Sequence, residues 1–335
     1  MGAYRLLLAV VVAVSHMGKT FMGLNPGVVA VISFLIISGF VMTSLIERNY
    51  KAPGKIGLFY ADRVLRLYPQ FLFYFFASCA VIHFLLPGTP QAAELTSSNI
   101  AASLAMVPLG FYMFGATGAG ILPPAWSLGL EMCFYLVIPF LVIFKARGVS
   151  FVLSVAVFIP ACLGFINTDL YGYRLLPGVL FIFLCGSYLF RPQPKGLMIA
   201  AGTTVVAALV FLAIMAGLIE RKPSNAEVAL GIALGIPAVY MLTRLKFHKA
   251  DEFLGNISYG VFLNHFVVIY FLHGLRPIAT FDVRTVATVL LLSLLLSVGS
   301  YYFVERPALK LRHALRSGGK ATLDQMTPSK AATSG

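Results

Sequence analysis

Residues 26–46 read PGVVAVISFLIISGFVMTSLI, a run of 21 residues without a charged side chain. A helix needs about 20 mostly apolar residues to cross the hydrocarbon core of a bilayer. Inside that core every backbone N–H and C=O must bond within its own segment, so the α-helix is the expected structure. This stretch therefore predicts a membrane-spanning helix and decides the fold class of the chain.

Nine further apolar stretches occur along the 335 residues. With the first they give ten predicted spans, at roughly 4–22, 26–46, 67–86, 121–144, 150–167, 175–190, 197–219, 227–243, 252–272 and 285–304. A shorter stretch at 100–113 carries Pro108 and Gly110, and we expect it to be re-entrant or interfacial. The sequence thus predicts an all-α, polytopic membrane protein. Its transmembrane domain covers 1–306, and a basic cytoplasmic tail covers 307–335, disordered from 317 onwards.

The composition agrees with this class. Hydrophobic residues make up 59% of the chain and charged residues only 11%, against about 25% charged residues in an average soluble domain. These values exclude a soluble globular enzyme, a disordered chain, a collagen and a coiled coil. The four cysteines lie in apolar spans without the spacing of a metal site, so we expect neither a metal nor a disulfide framework.

The excess of basic residues orients the spans. The net charge is +13, from 25 Lys and Arg against 12 Asp and Glu. In membrane proteins, Lys and Arg concentrate in the cytoplasmic loops. With both termini in the cytoplasm, 19 of the 25 basic residues fall on that side, and the remaining six are Lys19, Arg174, Arg221, Lys222, Arg276 and Arg284. The pattern predicts cytoplasmic termini. It also indicates that the basic residues serve to orient the protein in the lipid bilayer and not to bind nucleic acid.

Ionisable side chains inside spans mark candidate functional sites, because insertion costs at least about 2.5–3.5 kcal/mol each. They are His16, His83, Glu131 and His265. His16 follows Arg5 by eleven positions, or roughly 16 Å along a helix axis. Similar counts place His16, Glu131 and His265 in one layer in the outer half of the membrane. The isolated His83 is expected to hydrogen-bond a neighbouring helix.

Basic residues also cluster at the cytoplasmic end of the predicted third span. Arg63 and Arg66 are three positions apart and share a helical face. With Arg5 they are predicted to form an anion site, since guanidinium groups suit bidentate contacts with phosphate. Simple topology anchoring is the alternative for this pair. At the other end of the chain, Glu305 and Arg306 are expected to form an ion pair with each other.

Six short motifs follow one another in a fixed order between residues 5 and 307. They are Arg5-x10-His16, SFLIISGF at 33–40, RVLRLYP at 63–69, WSLGLEMCFY at 126–135, ISYGVFLNH at 257–265 and FVERP at 303–307. In this combination the chain resembles the acyltransferase-3 family of membrane-bound cell-envelope acyltransferases. Two positions depart from the family pattern: Gly2 stands where Asp is frequent, and Phe262 where Tyr is frequent.

The resemblance implies a ten-helix bundle in the bacterial inner membrane that takes acetyl-CoA or another acyl-CoA from the cytoplasm as donor. It implies an acceptor hydroxyl on an envelope polysaccharide or exopolysaccharide, on its lipid-linked precursor, or on a small glycosylated or polyketide molecule. An acetyl group and a saccharide acceptor are the expected pair. Metal and nucleic acid are not expected, and the oligomeric state is left open.

The same activity gives the candidate residues their predicted roles. His16 would act as general base on the acceptor hydroxyl, and Glu131 would orient its imidazole or stabilise the imidazolium. His265, or a hydroxyl such as that of Ser258, would donate to the oxyanion. The donor-binding candidates are Arg5, Arg63 and Arg66, and the substrate-binding candidates are Trp126, Ser127, Ser258 and Tyr259.

Other functions remain open at the level of sequence. Direct transfer and a route through an acyl-enzyme fit equally well. A proton-coupled transporter or flippase would use His16, Glu131 and His265 as a relay or substrate site. The missing internal repeats weigh against a transporter. A binding or sensing protein without turnover is the third class.

Overall fold

The computed structural model describes residues 1–115, 120–246 and 248–312. Those residues form helices joined by short loops, and no β-strand occurs in these ranges, so the all-α prediction is confirmed. The helices are α1 (Gly2–His16), α2 (Pro26–Asn49), α3 (Ile56–Leu85), α4 (Pro90–Ala93), α5 (Ser97–Leu104), α6 (Trp126–Ile143), α7 (Arg147–Cys162), α8 (Leu176–Leu189), α9 (Pro194–Met215), α10 (Asn225–Thr243), α11 (Lys249–Leu275) and α12 (Val283–Ser300).

Eight helical segments of the described chain are long and apolar enough to cross a membrane: Pro26–Asn49, Pro53–Leu85, Pro123–Ile143, Leu170–Leu189, Pro194–Met215, Asn225–Thr243, Lys249–Leu275 and Val283–Arg312. The apolar helices α1 and α7 are shorter, with 15 and 16 residues. Each of the ten predicted spans overlaps one of these helices. The number of helices that cross the membrane, and the side on which the termini lie, stay predictions.

Several boundaries differ from the predicted ones. The helix α3 begins at Ile56 instead of near 67, so Arg63 and Arg66 lie within it. The helix α1 ends at His16 instead of near 22, and Gly18 adopts a φ of +78° just beyond, a left-handed conformation common after helix ends. The 100–113 stretch is divided between α5 and a 3₁₀ segment at Val107–Phe114, each of eight residues and too short to cross a bilayer.

Close helix packing at the centre of the bundle depends on glycine. The helix α2 packs against α1, α6, α8 and α10, while α11 packs against α1, α3 and α12. A Cβ on Gly39 would lie 1.8 Å from the carbonyl oxygen of Phe183, and one on Gly186 would lie 1.9 Å from that of Ile36. Small residues of this kind let helix backbones approach each other in membranes, and here they fix α2 against α8.

The start of α1 is held by a carboxylate from α11. Asp251 accepts hydrogen bonds from the backbone nitrogens of Gly2 at 2.9 Å and Ala3 at 2.8 Å. A carboxylate is favourable there because the first turn of a helix leaves N–H groups unpaired. A Cβ on Gly2 would lie 1.6 Å from the Asp251 carbonyl oxygen. The cap that the family pattern places at position 2 is therefore supplied here by a different helix, and only glycine fits at that position.

The helix after α12 continues beyond the predicted domain boundary. A π-helical turn at Tyr301–Glu305 is followed by helix as far as Arg312. The predicted boundary between 306 and 307 therefore falls within a helix. The rest of the predicted tail, 313–335, with its expected disordered part 317–335, lies outside the described residues.

Candidate active site

Two cavities of about 340 Å³ and 330 Å³ enter the bundle. From α1, Arg5 near its beginning lines the first cavity, whereas Val12, Ser15 and His16 near its end line the second. Because Arg5 and His16 lie at opposite ends of one helix, the two cavities lie toward opposite ends of α1. Val31, Ser127 and Phe262 line both of them. The two cavities therefore meet at these three side chains.

We call the first the arginine cavity, since four guanidinium groups line it. Among the described residues that line it, two carboxylates lie beside them, those of Glu131 and Glu252. The structure thus brings together the three arginines predicted from the sequence and adds one from the C-terminal helix, giving Arg5, Arg63, Arg66 and Arg312.

Three of the four arginines are held by carboxylates. Arg63 donates from Nε to Asp62 at 3.0 Å, and the same carboxylate accepts from Arg312 Nε at 3.0 Å. Arg66 forms an ion pair with Glu305, whose side chain is 3% exposed. A buried carboxylate needs a partner of opposite charge, and Glu305 finds it on α3.

The expected ion pair between Glu305 and Arg306 is therefore wrong. Arg306 lies instead over the ring of Tyr302, 5.9 Å from its centroid. The π-helical turn at Tyr301–Glu305 directs the Glu305 side chain into the bundle. The adjacency of Glu305 and Arg306 in the sequence does not show this direction.

Arg5 differs from the other three. No carboxylate among the residues that the structure describes lies within ion-pair distance of it, and its buried Nε has no hydrogen-bond partner there. Of the four guanidinium groups that line the arginine cavity, that of Arg5 is the least compensated. This makes it the strongest candidate to contact an anionic ligand.

Glu131 lies at the arginine cavity and not beside His16. Its Oε1 accepts hydrogen bonds from Ser38 Oγ at 2.7 Å and from the hydroxyl of Tyr135 at 2.6 Å. The predicted similarity in depth does not produce a contact, because the two side chains line different cavities.

His16 is hydrogen-bonded to His265. Its Nδ1 lies 2.9 Å from His265 Nε2, the two ring planes are within 11° of parallel, and His265 is fully buried. His265 Nδ1 lies 3.2 Å from the carbonyl oxygen of Val261. A carbonyl only accepts, so a neutral His265 carries its proton on Nδ1 and accepts at Nε2 from His16 Nδ1–H. This arrangement leaves His16 Nε2 unprotonated, and therefore available as a base.

We call the second cavity the histidine cavity, after His16. Aromatic rings make up much of the rest of its wall. The guanidinium of Arg174 lies 4.8 Å from the ring centroid of Trp126, 5.3 Å from that of Tyr173 and 5.5 Å from that of Tyr112. Cations over aromatic faces are stabilised electrostatically. The cavity thus combines a base, a cation and a platform of flat apolar surfaces.

The substrate-binding candidates are divided between the cavities. Trp126 lines the histidine cavity, Ser127 lines both, and Ser258 and Tyr259 line the arginine cavity. The Tyr259 hydroxyl donates to the carbonyl of Leu67 at 3.1 Å. Further lining or supporting residues, which our sequence interpretation missed, are Ser38, Tyr112, Tyr135, Tyr173, Arg174 and Arg312.

Some of these residues carried a signal. Ser38 and Tyr135 lie inside recognised motifs, and Arg174 is one of only six basic residues on the predicted outer side. Tyr112 carries none. All four cysteines are free and none lines either cavity. In the described ranges there is no group of three or more His, Cys, Asp or Glu that could hold a metal ion.

A known protein family matches this chain over most of its length. Residues 5–304 match the model of a family described as an acyltransferase domain. The O-acetyltransferase OatA of Staphylococcus aureus (strain NCTC 8325 / PS 47) is 24% identical over 324 residues, which cover 86% of this chain and 53% of the relative. A putative O-acetyltransferase of Staphylococcus aureus (strain COL) is 24% identical over 347 residues, covering 88% and 54%.

A third relative is shorter. It is an uncharacterized protein of Aquifex aeolicus (strain VF5), 34% identical over 208 residues, which cover 58% of this chain and 90% of the relative. The chain spans about half the length of the two O-acetyltransferases that it matches. No solved structure gives a significant match.

Proposed function

The chain belongs to the acyltransferase-3 family, and from that membership we propose that it is a membrane O-acyltransferase of the bacterial inner membrane. It transfers an acyl group, acetyl by preference, from cytoplasmic acyl-CoA to a hydroxyl of an envelope saccharide or its lipid-linked precursor. The observation that carries the proposal is the meeting of two chemically different cavities at Val31, Ser127 and Phe262. One cavity suits an anionic donor, and the other holds a base beside aromatic rings.

The donor occupies the arginine cavity. Its nucleotide phosphates contact Arg5, Arg63 and Arg66, at the end of the bundle that the charge pattern predicts to be cytoplasmic. Arg5 and His16 are eleven residues apart on α1, which is roughly 16 Å. The pantetheine arm is of similar length, so the thioester reaches the junction of the two cavities.

The acceptor enters the histidine cavity and is acylated directly. His16 Nε2 takes the proton of the acceptor hydroxyl while the hydroxyl oxygen attacks the thioester carbonyl. Ser127 lies at the junction. Its hydroxyl donates to the carbonyl oxygen of Pro124 at 3.1 Å, and in the reaction it turns to donate to the developing oxyanion instead. The tetrahedral intermediate then collapses with cleavage of the C–S bond. The departing thiolate takes the proton from the His16 imidazolium, which gives the ester and free CoA.

His265 supports this step without touching the substrates. It is fully buried and lines neither cavity, so its role is to accept from His16 Nδ1–H and hold the imidazole in one tautomer. Glu131 takes part in donor binding instead of orienting His16. Its Oε1 is occupied by Ser38 and Tyr135, which leaves Oε2 for an amide N–H of the pantetheine arm.

The transporter or flippase alternative is not favoured. The matching family and the named relatives are acyltransferases. A relay through His16, Glu131 and His265 also has less support, because Glu131 lines a different cavity from His16.

Proteoliposomes with the two substrates on opposite sides test the proposal. Acetyl-CoA is supplied on one side and a bacterial envelope polysaccharide on the other, and free CoA thiol and acetyl ester are measured together. We expect thiol release that depends on the acceptor and matches the ester formed, one for one. Release that is indifferent to every acceptor, or no release at all, would overturn the assignment as an O-acyltransferase.

A further inference from the structure

Arg174 presents the free edge of its guanidinium to the histidine cavity. Its Nε donates to Asp169 at 2.5 Å, and Asp169 in turn accepts from the Ser224 hydroxyl at 2.8 Å. No group in the described part of the chain hydrogen-bonds the two terminal nitrogens of Arg174. Since Arg174 lines the cavity and Asp169 does not, the carboxylate anchors the guanidinium from behind.

The counter-ion of Arg174, Asp169, lies outside the wall of the histidine cavity. No Asp or Glu of the described residues lines the cavity, and the other polar groups there are neutral hydroxyls, an amide, the Trp126 indole N–H and the His16 imidazole. The rings of Tyr112, Trp126 and Tyr173 restrict how the guanidinium can turn. A cation so fixed, with two parallel N–H donors free, is matched by a ligand carrying a carboxylate or a phosphate.

The aromatic rings indicate what else the ligand contains. Trp126 and Tyr173 pack edge to face, with ring centroids 5.2 Å apart, and offer apolar surface next to the cation. Pockets that combine such surfaces with a few polar groups bind small organic rings and orient them by the polar contacts. A sugar ring that carries a negative charge satisfies both parts of this wall.

Resting on the proposed function, we propose that the acceptor is an anionic saccharide and that Arg174 selects it. The carboxylate or phosphate of the sugar is held by the terminal nitrogens of Arg174, its ring lies against Trp126, and its hydroxyl faces His16 Nε2. Arg174 is thus the specificity-determining residue for the acceptor, whereas the arginine cavity serves the donor. If the only role of Arg174 were to pair with Asp169, the other edge of its guanidinium would not need to face the cavity.

Binding can be measured without turnover because Trp126 is the only tryptophan of the chain. Its fluorescence reports on ligands that enter the histidine cavity. The full chain in lipid nanodiscs is titrated with tetragalacturonate, with the carboxyl-reduced neutral tetrasaccharide, and with mannose 6-phosphate against mannose. We expect at least one charged ligand to bind about tenfold or more tightly than its neutral counterpart, with an affinity that falls as salt is added.

Variants then assign this preference to one residue. Arg174→Gln should remove the preference for the charged ligand and leave the affinity for the neutral one unchanged, while Arg174→Lys should keep part of it. The matched control is Arg284→Gln, an exposed arginine on the same predicted side that lines neither cavity. If Arg174→Gln does not fold, the charged and neutral ligands on the wild-type chain still decide the question.

The outcomes separate this proposal from the proposed function. Equal binding of charged and neutral ligands by the wild-type chain overturns the anionic acceptor, even if acceptor-dependent thiol release is observed. An equal loss for both ligands in Arg174→Gln makes Arg174 a structural residue and overturns its selecting role. Selective, Arg174-dependent binding without any thiol release supports the anionic site and contradicts the transferase.

Discussion

The arginine cavity and the histidine cavity are nearly equal in volume but differ in the side chains that line them. In the arginine cavity four guanidinium groups come together; three of them are tied to carboxylates, and Arg5 is the exception. In the histidine cavity the guanidinium of Arg174 is paired with Asp169, and the base is a histidine hydrogen-bonded to a second, buried histidine. Volume therefore says little about the roles of the two cavities, whereas the clustered cations of one and the base of the other separate a binding region from a reacting region.

If this division is correct, substitutions in the two cavities change different kinetic constants. Residues of the histidine cavity should control the rate of transfer, and those of the arginine cavity should control the apparent affinity for the donor. A residue that changed both equally would show that the division is too simple.

The largest effect is expected for His16→Gln. Loss of the base at the junction should lower kcat for acyl transfer by about 10²–10⁴-fold, the usual contribution of general base catalysis. Donor affinity, measured by calorimetry with CoA, should stay within about twofold, since His16 does not line the arginine cavity.

His83→Gln is the matched control. His83 is also a histidine of a predicted span, but it lines neither cavity and its ring contacts Phe84. The His83→Gln variant should retain wild-type activity. Near-normal transfer by His16→Gln would remove the base from the mechanism and with it the contrast between the cavities.

The second effect concerns His265, a positioning residue. Replacing it with Leu removes the acceptor for His16 Nδ1–H and should lower kcat by about 10²-fold, the scale of a misplaced catalytic group. His265→Gln keeps an amide oxygen that can accept, so it should recover part of the loss.

A double variant separates positioning from mere structural support. If His265 acts only through His16, His16→Gln combined with His265→Leu should be no slower than His16→Gln alone. A further multiplicative loss in the double variant would mean that His265 acts independently of His16.

The third effect should appear in the donor KM. Arg5→Gln is expected to raise the KM for acyl-CoA about tenfold, equivalent to about 1.4 kcal/mol, with little change in kcat. Arg66→Gln would also leave Glu305 buried without its partner, so stability has to be controlled by pairing it with Glu305→Gln. The double variant Arg66→Gln with Glu305→Gln should raise the donor KM less than Arg5→Gln does, because the charge of Arg66 is already paired with that of Glu305.

The comparison of Arg5 with Arg66 can fail in a clear way. Donor affinity that is unchanged in Arg5→Gln would return this arginine to the role of a topology anchor. A larger KM increase in the double variant of Arg66 and Glu305 than in Arg5→Gln would show that ion-paired arginines still contribute most of the phosphate binding.

The features that could be predicted from the sequence are those that depend on distances along a single helix. The helical class depends on apolar length, and the placement of Arg5 and His16 at opposite ends of α1 depends only on the rise per residue. The motifs also singled out three of the four arginines of the first cavity, Arg5, Arg63 and Arg66, and both histidines.

Contacts between helices could not be predicted from the sequence, because the depth of a residue in the membrane does not show which face of its helix packs against which neighbour. Glu131 and His265 have similar predicted depths, yet only His265 contacts His16. Arg174 and Tyr112 come from segments far from any recognised motif and meet through the packing of the π-helical turn at Leu170–Arg174. The cap from Asp251 and the pairing of Glu305 with Arg66 have the same origin.

The smallest effect is expected at the start of α1, which carries Arg5 in one cavity and His16 in the other. Asp251→Ala removes the acceptor for Gly2 and Ala3, and losing a helix cap costs about 1 kcal/mol. Because α1 contributes to both cavities, kcat and donor KM should both worsen by a few-fold. Asp251→Asn keeps an acceptor and should lie between Ala and wild type.

Asp282→Ala provides the comparison for Asp251→Ala, because Asp282 caps α12 through Thr285 at 2.7 Å and lines neither cavity. Both kinetic constants should stay at wild-type values there, even if the melting temperature falls. If Asp251→Ala changes only one of the two constants, then α1 does not couple the cavities, and the positions of Arg5 and His16 are fixed separately by their own neighbours. Such a result would deepen the division between the two regions, whereas a parallel change would show that one rigid helix sets the distance from the donor phosphates to the base.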